Sequence, residues 1–455
     1  MNYLESGEER LIHNDTIFST APSASAVSET RRGSGVLGII FLMVNATLGA
    51  GLLNFPQAFD KAGGVGTAII GQLGFLIMIT AALVILAHCS DVTNTSSMQN
   101  TFAGLCGSKS IFVCGICVAV YSFGCCVTFL IIIGDQFDRV LATFYGPSFC
   151  HNWYLSRPFI TTLTCSIFIL PLSFVKRLDV LRYTSSIGCI TIIYVIWLII
   201  YESITDTGIS LKPMQIWPDN WMQTLQIIPI ICFAYQSHMT VIPTYACMKD
   251  RNLDKFTFCA VISMIICFLA YTIVGIIGYG TFGIGRVPSD ILQGYTDKSI
   301  FLTIAIISIA IKNFTTYPIV LFCGRDALLS LFGRDTDNGL VTRVFVTLIW
   351  FTLSLIIAIL VPDISSVINL LGSLSAAFIF LFPGICLLQS TLLKDPNLCL
   401  NKDKIIIIIA IFITALGAFV AGVVFVEALQ DLSKESIKPP LVTGFTARLR
   451  DNLCV

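Results

Sequence analysis

The chain has 455 residues, of which 55% are hydrophobic and only 12% are charged, and its mean hydropathy is +0.85. This composition excludes a soluble globular fold of that length and places the chain in a membrane. Lysine and arginine together number 27, as do aspartate and glutamate, so there is no basic excess for binding nucleic acid. The 17 cysteines lie mostly in apolar runs, which predicts neither a disulfide framework nor a metal site.

Residues 1–34 are polar and lack an apolar core of signal-peptide length, which predicts a disordered cytosolic tail. Apolar runs of about 20 residues then predict eleven transmembrane helices, which begin near Gly35, Val65, Ile111, Pro158, Ser185, Trp221, Phe256, Ser299, Val344, Ile364 and Lys404. Lysine and arginine are concentrated in the loops on the side of the amino tail, so the amino end is predicted to be cytosolic. The transporter domain is predicted to cover residues 35–430, and a luminal or extracellular tail is predicted for residues 431–455.

The first predicted helix is interrupted in its middle, where residues 44–51 read Val-Asn-Ala-Thr-Leu-Gly-Ala-Gly. Glycine is a poor helix former, and each unpaired backbone group in hydrocarbon costs several kcal/mol. Such a break persists only where it lines a polar cavity, so this segment is a candidate binding site. Its candidate residues are Asn45, Thr47, Leu48, Gly49, Ala50 and Gly51.

A second interruption follows five spans later, between Pro229 and Pro243. Broken helices in corresponding positions of two halves indicate an inverted-repeat transporter with a site at the middle of the membrane. The halves are helices 1–5, at about 35–203, and helices 6–10, at about 221–393, with helix 11 added at about 404–430. The alternative is that the prolines only kink a helix. The candidate residues of this break are Phe233, Tyr235, Gln236, Ser237 and His238.

The chemistry of two broken helices points to a zwitterionic ligand. An unwound helix offers free carbonyl groups at the end of its first half and free N–H groups at the start of its second half, so it can hold a cation and an anion together. Neither break contains a charged residue, so the substrate is expected to be a net-neutral amino acid. The amides of Asn45 and Gln236 could bind a polar side chain, although Gln236 could equally cap the backbone.

Polar residues also interrupt the eighth predicted span. The adjacent hydroxyls of Thr315 and Thr316 could bind a hard cation, or each could bond a carbonyl of its own helix. Lys312 lies on the same helical face, and a lysine inside a span indicates function. Its ammonium could replace a sodium ion; the alternatives are that it reaches the membrane surface or pairs with an acid such as Asp135.

These stretches resemble the sodium-coupled neutral amino acid transporters of the amino acid/auxin permease group, within the LeuT-like fold. The resemblance runs over most of residues 35–430 and is most specific at residues 44–56, 62–65, 129–136, 317–318, 322–325, 362–363 and 380–384. It is strongest to the lysosome-associated branch that carries glutamine and asparagine. It implies a sodium site at Asn45, with Ala46 beside it, and at Thr315 and Thr316. Lys312 departs from the family pattern and puts sodium coupling in question.

The leading prediction is therefore a transporter, not an enzyme, that moves neutral amino acids with a sodium gradient and needs no cofactor. Glutamine and asparagine are the favoured substrates, and the lysosomal membrane is favoured over the plasma membrane. Proton-coupled or uncoupled transport is one alternative. Another is a membrane sensor that binds an amino acid in the same pocket.

Overall fold

The structure is a computed structural model that describes residues 34–49, 51–146, 152–174, 181–207, 211–295, 299–332, 339–361, 364–394 and 401–437. The predicted site residue Ala50, most of the predicted amino tail and the end of the carboxyl tail lie outside these ranges. In the described part, nine helices are long and apolar enough to cross a membrane, and a bent pair in the first span raises the number to ten. A shorter apolar helix stands at the predicted fourth span. The predicted all-α membrane protein is confirmed.

The spans carry the following numbers. The first is Val36–Thr47 with Gly51–Lys61, the second Val65–Thr93, the third Ser110–Tyr145, the fourth Arg157–Ser173 and the fifth Leu181–Thr207. The sixth is Ile228–Ala234 with His238–Ala246, preceded by the 3-10 helix Trp221–Ile227, and the seventh is Leu253–Phe282. The eighth is Ile300–Leu331, the ninth Leu340–Leu360, the tenth Ile364–Ala376 with the π-helix Ala377–Leu381 and Phe382–Lys394, and the eleventh Asn401–Ile437. Short helices at Met98–Cys106, Trp153–Leu155 and Ile291–Gly294 connect them.

The broken spans lie at the centre of the helix bundle. In the most apolar 18-residue window of the sixth span 78% of residues are buried, against 17% in the eleventh, which therefore runs along the periphery. The two halves of the first span pack on the seventh, and the first half of the sixth packs on the tenth. Because a lipid-exposed break would leave backbone groups unpaired in hydrocarbon, a central position is the one in which such breaks can persist.

A turn at Gly63 and Gly64, after the end of the first span, packs against the loop that precedes the sixth span. Gly63 and Gly64 have φ values of 76° and 147°, which residues with a Cβ rarely adopt. A Cβ on Gly63 would also lie 2.7 Å from the Cβ of Pro218. The turn therefore requires glycine for its backbone conformation and for close contact with the loop that leads into the sixth span.

Candidate functional site

The first break separates two helix halves that are bent by 57° relative to each other. The first half ends at Thr47, whose hydroxyl donates to the carbonyl of Met43 at 2.9 Å, and the second half begins at Gly51. The amide of Gly49 donates back to the carbonyl of Thr47 at 2.8 Å, in a tight turn instead of a helical turn. The predicted interruption of this helix is therefore present in the structure.

The sixth span breaks where the sequence places Gln236 and Ser237. The first half ends at Ala234, and the second half begins at His238. The side-chain oxygen of Gln236 accepts from the backbone amide of His238 at 3.4 Å and lies 2.9 Å from its Nδ1. Gln236 thus caps the second half-helix, as the alternative reading of this residue expects, while its own Nε2 has no hydrogen-bond partner in the described part of the chain.

The two breaks meet each other. A Cβ built on Gly51 would lie 2.6 Å from the Cβ and 2.8 Å from the Cα of Ala234, so the second half of the first span touches the end of the first half of the sixth. The hydroxyl of Tyr271, on the seventh span, lies 2.8 Å from the carbonyl of Thr47 and 2.8 Å from the carbonyl of Ala234. The carbonyl ends of both breaks therefore converge on one hydroxyl group.

The described residues predicted for the two breaks are all buried or partly buried. They are Asn45, Ala46, Thr47, Leu48, Gly49, Gly51, Phe233, Tyr235, Gln236, Ser237 and His238. Among them, the side-chain oxygens of Asn45 and Ser237 and the Nε2 of Gln236 are buried without a hydrogen-bond partner in the described residues. Buried polar atoms are nearly always paired, so these atoms are candidates for contact with a ligand.

Lys312 joins the eighth span to the first break. Its side chain is only 5% exposed, and its ammonium donates to the carbonyl of Leu48, inside the break. Asp135 instead forms an ion pair with Arg157, at 2.6 Å. In this structure Lys312 thus contacts neither Asp135 nor the exterior of the bundle, and its partner is a backbone carbonyl of the first break. A buried positive charge lies at the end of a half-helix, where partial negative charge accumulates.

The hydroxyls of Thr315 and Thr316 form hydrogen bonds within their own helix. The hydroxyls of Thr315 and Thr316 both donate to the carbonyl of Lys312, at 2.8 and 2.9 Å. The lone pairs of both hydroxyl oxygens can still accept a hydrogen bond or bind a cation. Within the described residues, no hydrogen bond joins them to Asn45 or Ala46, and the amide oxygen of Asn45 faces Gly188 on the fifth span.

A small cavity lies beside the first break. Its volume is about 20 Å³, and its lining includes Gly49, Ile132, Thr191, Lys312 and Asn313. A water molecule needs about 10–15 Å³ on the same measure, so this cavity has room for little more than one. An amino acid does not fit without movement of the breaks. Thr191 and Asn313 are polar lining residues that the sequence analysis did not single out.

Polar contacts join the spans on the side of the bundle where the first span begins. At the end of the second span, Asp91 accepts from the hydroxyl of Tyr245 at 2.6 Å and pairs with Arg251 at 3.0 Å. The guanidinium of Arg251 also lies 4.9 Å from the centre of the Tyr245 ring. These residues tie the second span to the end of the sixth.

The opposite side is closed by a buried network around the loop between the seventh and eighth spans. Gln136 donates to Asp290 at 2.9 Å, and Arg139 donates to the carbonyls of Leu292 and Tyr295. Burial raises the pKa of the Asp290 carboxyl, while the charge of Arg139 acts in the opposite direction. Polar contacts on both sides of the breaks therefore hold the spans together around the small cavity.

Comparison with known proteins gives the class of this chain. A crystal structure of MhsT in complex with L-phenylalanine matches with a TM-score of 0.56 and 16% identity, over 86% of this chain and 98% of that one. The match, together with the two central breaks, confirms the predicted LeuT-like fold. The class defined by the fold is that of all-helical membrane proteins with broken first and sixth spans.

The family follows from the sequence matches. The family described as transmembrane amino acid transporter protein matches residues 32–426, so the chain belongs to that family. It is 36% identical to sodium-coupled neutral amino acid transporter 7 of Danio rerio, over 92% of this chain and 93% of that protein. The Homo sapiens protein of the same name is 35% identical, over 92% and 94%. The chain is therefore an amino acid transporter in the group similar to transporter 7, and the predicted resemblance is confirmed.

Proposed function

We propose that this chain carries net-neutral amino acids, with glutamine and asparagine favoured, by alternating access around its two breaks. The observation that carries the proposal is the convergence of the carbonyl ends of both breaks on a single point, next to buried polar atoms without partners. Opening of one closed end and then the other would expose this point to each side of the membrane in turn.

The zwitterion is expected to bind in a defined orientation. Its ammonium would meet the carbonyls of Thr47 and Ala234, at the negative ends of two half-helices. Its carboxylate would meet the amide end of the second half of the first span, which begins at Gly51. The unpaired Nε2 of Gln236 would donate to a side-chain carbonyl such as that of glutamine or asparagine.

Sodium is the proposed coupling ion, because the similar transporters of Danio rerio and Homo sapiens are named as sodium-coupled. Its ligands would be Asn45 and Ala46 in the first span and Thr315 and Thr316 in the eighth, brought together by movement of the first break. One observation favours a second candidate, in which the ammonium of Lys312 takes the place of sodium and transport is proton-coupled or uncoupled. This observation is the hydrogen bond from Lys312 to the Leu48 carbonyl, which puts a fixed cation at the break.

The proposed location is the lysosomal membrane, with the amino end in the cytosol and the plasma membrane as the alternative. The bias of lysine and arginine toward the loops on the amino-terminal side supports this orientation. The lysosome is carried over from the branch that the sequence resembles.

Radiolabelled glutamine flux in proteoliposomes tests the proposed function, with sodium and pH gradients imposed separately. We expect glutamine to accumulate under an inward sodium gradient and not under a pH gradient alone. Accumulation without sodium would favour the coupling through Lys312. Glutamine binding without flux under either gradient would contradict transport and favour a membrane amino acid sensor.

A further inference from the structure

We propose that Tyr271 is a positioning residue, whose hydroxyl holds the carbonyls of Thr47 and Ala234 together at the point that receives the ammonium of the substrate. This inference rests on the proposed function and adds a residue of the seventh span to its site. The evidence is geometric: the hydroxyl oxygen lies 2.8 Å from each carbonyl oxygen, and these carbonyls belong to the last helical residues of the two first halves.

The hydrogen-bond count at this point leaves capacity for a ligand. A phenol has one hydrogen to donate, whereas two carbonyl oxygens can together accept four hydrogen bonds. The amide of Gly49 supplies one further donor to the carbonyl of Thr47. An ammonium group carries three donors and can therefore bond both carbonyls while the hydroxyl stays in place. Tyr271 orients these carbonyls without using up their acceptor capacity.

The ring of Tyr271 is held by residues from both broken spans. It is fully buried and stacks on Phe55, in the second half of the first span, with the ring centres 4.3 Å apart and the planes at 18°. The ring of Tyr235 lies 4.9 Å away, and Gln72 of the second span donates to the Tyr235 hydroxyl at 2.5 Å. Since these contacts fix the ring, the hydroxyl has a defined position between the breaks.

The proposal predicts that Tyr271→Phe weakens substrate binding while leaving turnover nearly unchanged. The substitution keeps the ring against Phe55 and removes only the hydroxyl, so the two carbonyls lose their common donor and separate. We expect the KM for glutamine uptake to rise about tenfold and the maximal rate per transporter to change less than about twofold. The measurement is the initial rate of radiolabelled glutamine uptake in proteoliposomes, normalised to the amount of protein.

Tyr317→Phe is a matched control. Tyr317 is also a fully buried tyrosine of a membrane span, and its hydroxyl lies 2.7 Å from the Ser354 hydroxyl, not at a break. The substitution Tyr317→Phe therefore removes a comparable buried hydrogen bond. We expect it to leave the KM within about twofold of the wild type, since only general packing is affected.

The outcomes separate this inference from the proposed function. A wild-type protein that neither takes up nor binds glutamine would contradict the proposed function itself. If the wild type transports, an unchanged KM in Tyr271→Phe, or an equal rise in Tyr317→Phe, overturns the role of Tyr271. Should Tyr271→Phe be inactive, the rise in Tm on adding glutamine to purified protein decides: a reduced rise supports the role, and a full rise overturns it.

Discussion

Lys312→Met is expected to lower glutamine uptake by about tenfold or more, whichever ion drives transport. The ammonium of Lys312 is buried and donates to the Leu48 carbonyl, inside the first break. Methionine has a similar length but no donor, so this carbonyl is left buried and unpaired. A hydrogen bond from a charged group contributes about 1.5–3 kcal/mol, which is roughly tenfold to a hundredfold in the population of the arrangement that it holds.

The sodium dependence of uptake then distinguishes the two couplings. If sodium is the coupling ion, the wild type requires sodium and the remaining uptake of Lys312→Met requires it too. If the lysine takes the place of sodium, wild-type uptake persists in a choline medium and disappears in the variant. Lys255→Met is the control, because that lysine is 51% exposed and its ion pair with Asp250 lies at the surface. Uptake at the wild-type rate by Lys312→Met would show that its ammonium has no part in transport.

The positions of both breaks could be predicted from the sequence, because each has a local signal. Glycines and polar residues within an apolar run marked the segment that ends at Gly51, and two prolines bracketed the segment around Gln236. Each break lies in the first span of a five-helix half, which indicated that the two breaks are equivalent parts of an inverted repeat. These features depend on composition and order along the chain, so no knowledge of contacts between distant residues is needed.

The contacts between the breaks could not be predicted in the same way. Tyr271 lies in an uninterrupted apolar run, where a tyrosine is most simply read as part of the packing, and its partners are backbone carbonyls that carry no side-chain signature. The same is true of Lys312, for which an acid such as Asp135 was the natural expected partner. The structure pairs Asp135 with Arg157 and directs the lysine to the Leu48 carbonyl.

Close packing of the spans also explains why the candidate sodium ligands and substrate residues are not assembled around one open cavity. Closed contacts on both sides, at Asp91 and at Asp290, hold the spans together around a cavity of about 20 Å³. Binding of an amino acid therefore requires movement of the spans that line this cavity. The close contact between Gly51 and Ala234, in contrast, sets how near the carbonyl ends of the two breaks lie to each other.

Gly51→Ala is expected to reduce glutamine uptake to about a tenth or less of the wild-type rate. The added Cβ would lie 2.6 Å from the Cβ of Ala234 and 2.8 Å from its Cα, and a backbone atom cannot turn aside as a flexible side chain can. The breaks must separate, which moves the Thr47 and Ala234 carbonyls away from their shared contact with Tyr271. Initial uptake rates in proteoliposomes, with Tm as a measure of folding, test this expectation.

Helix propensity acts in the opposite direction and so cannot account for such a loss. Alanine is a better helix former than glycine by up to about 1 kcal/mol, so Gly51→Ala should favour the second half-helix locally. Gly74→Ala, in the interior of the second span, provides the control, because a Cβ there meets no atom within 4 Å. Combining Gly51→Ala with Ala234→Gly removes the closer of the two overlaps and is expected to restore part of the uptake. Full uptake by Gly51→Ala alone would show that the breaks need not touch for transport, whereas rescue by Ala234→Gly would tie the loss to their contact.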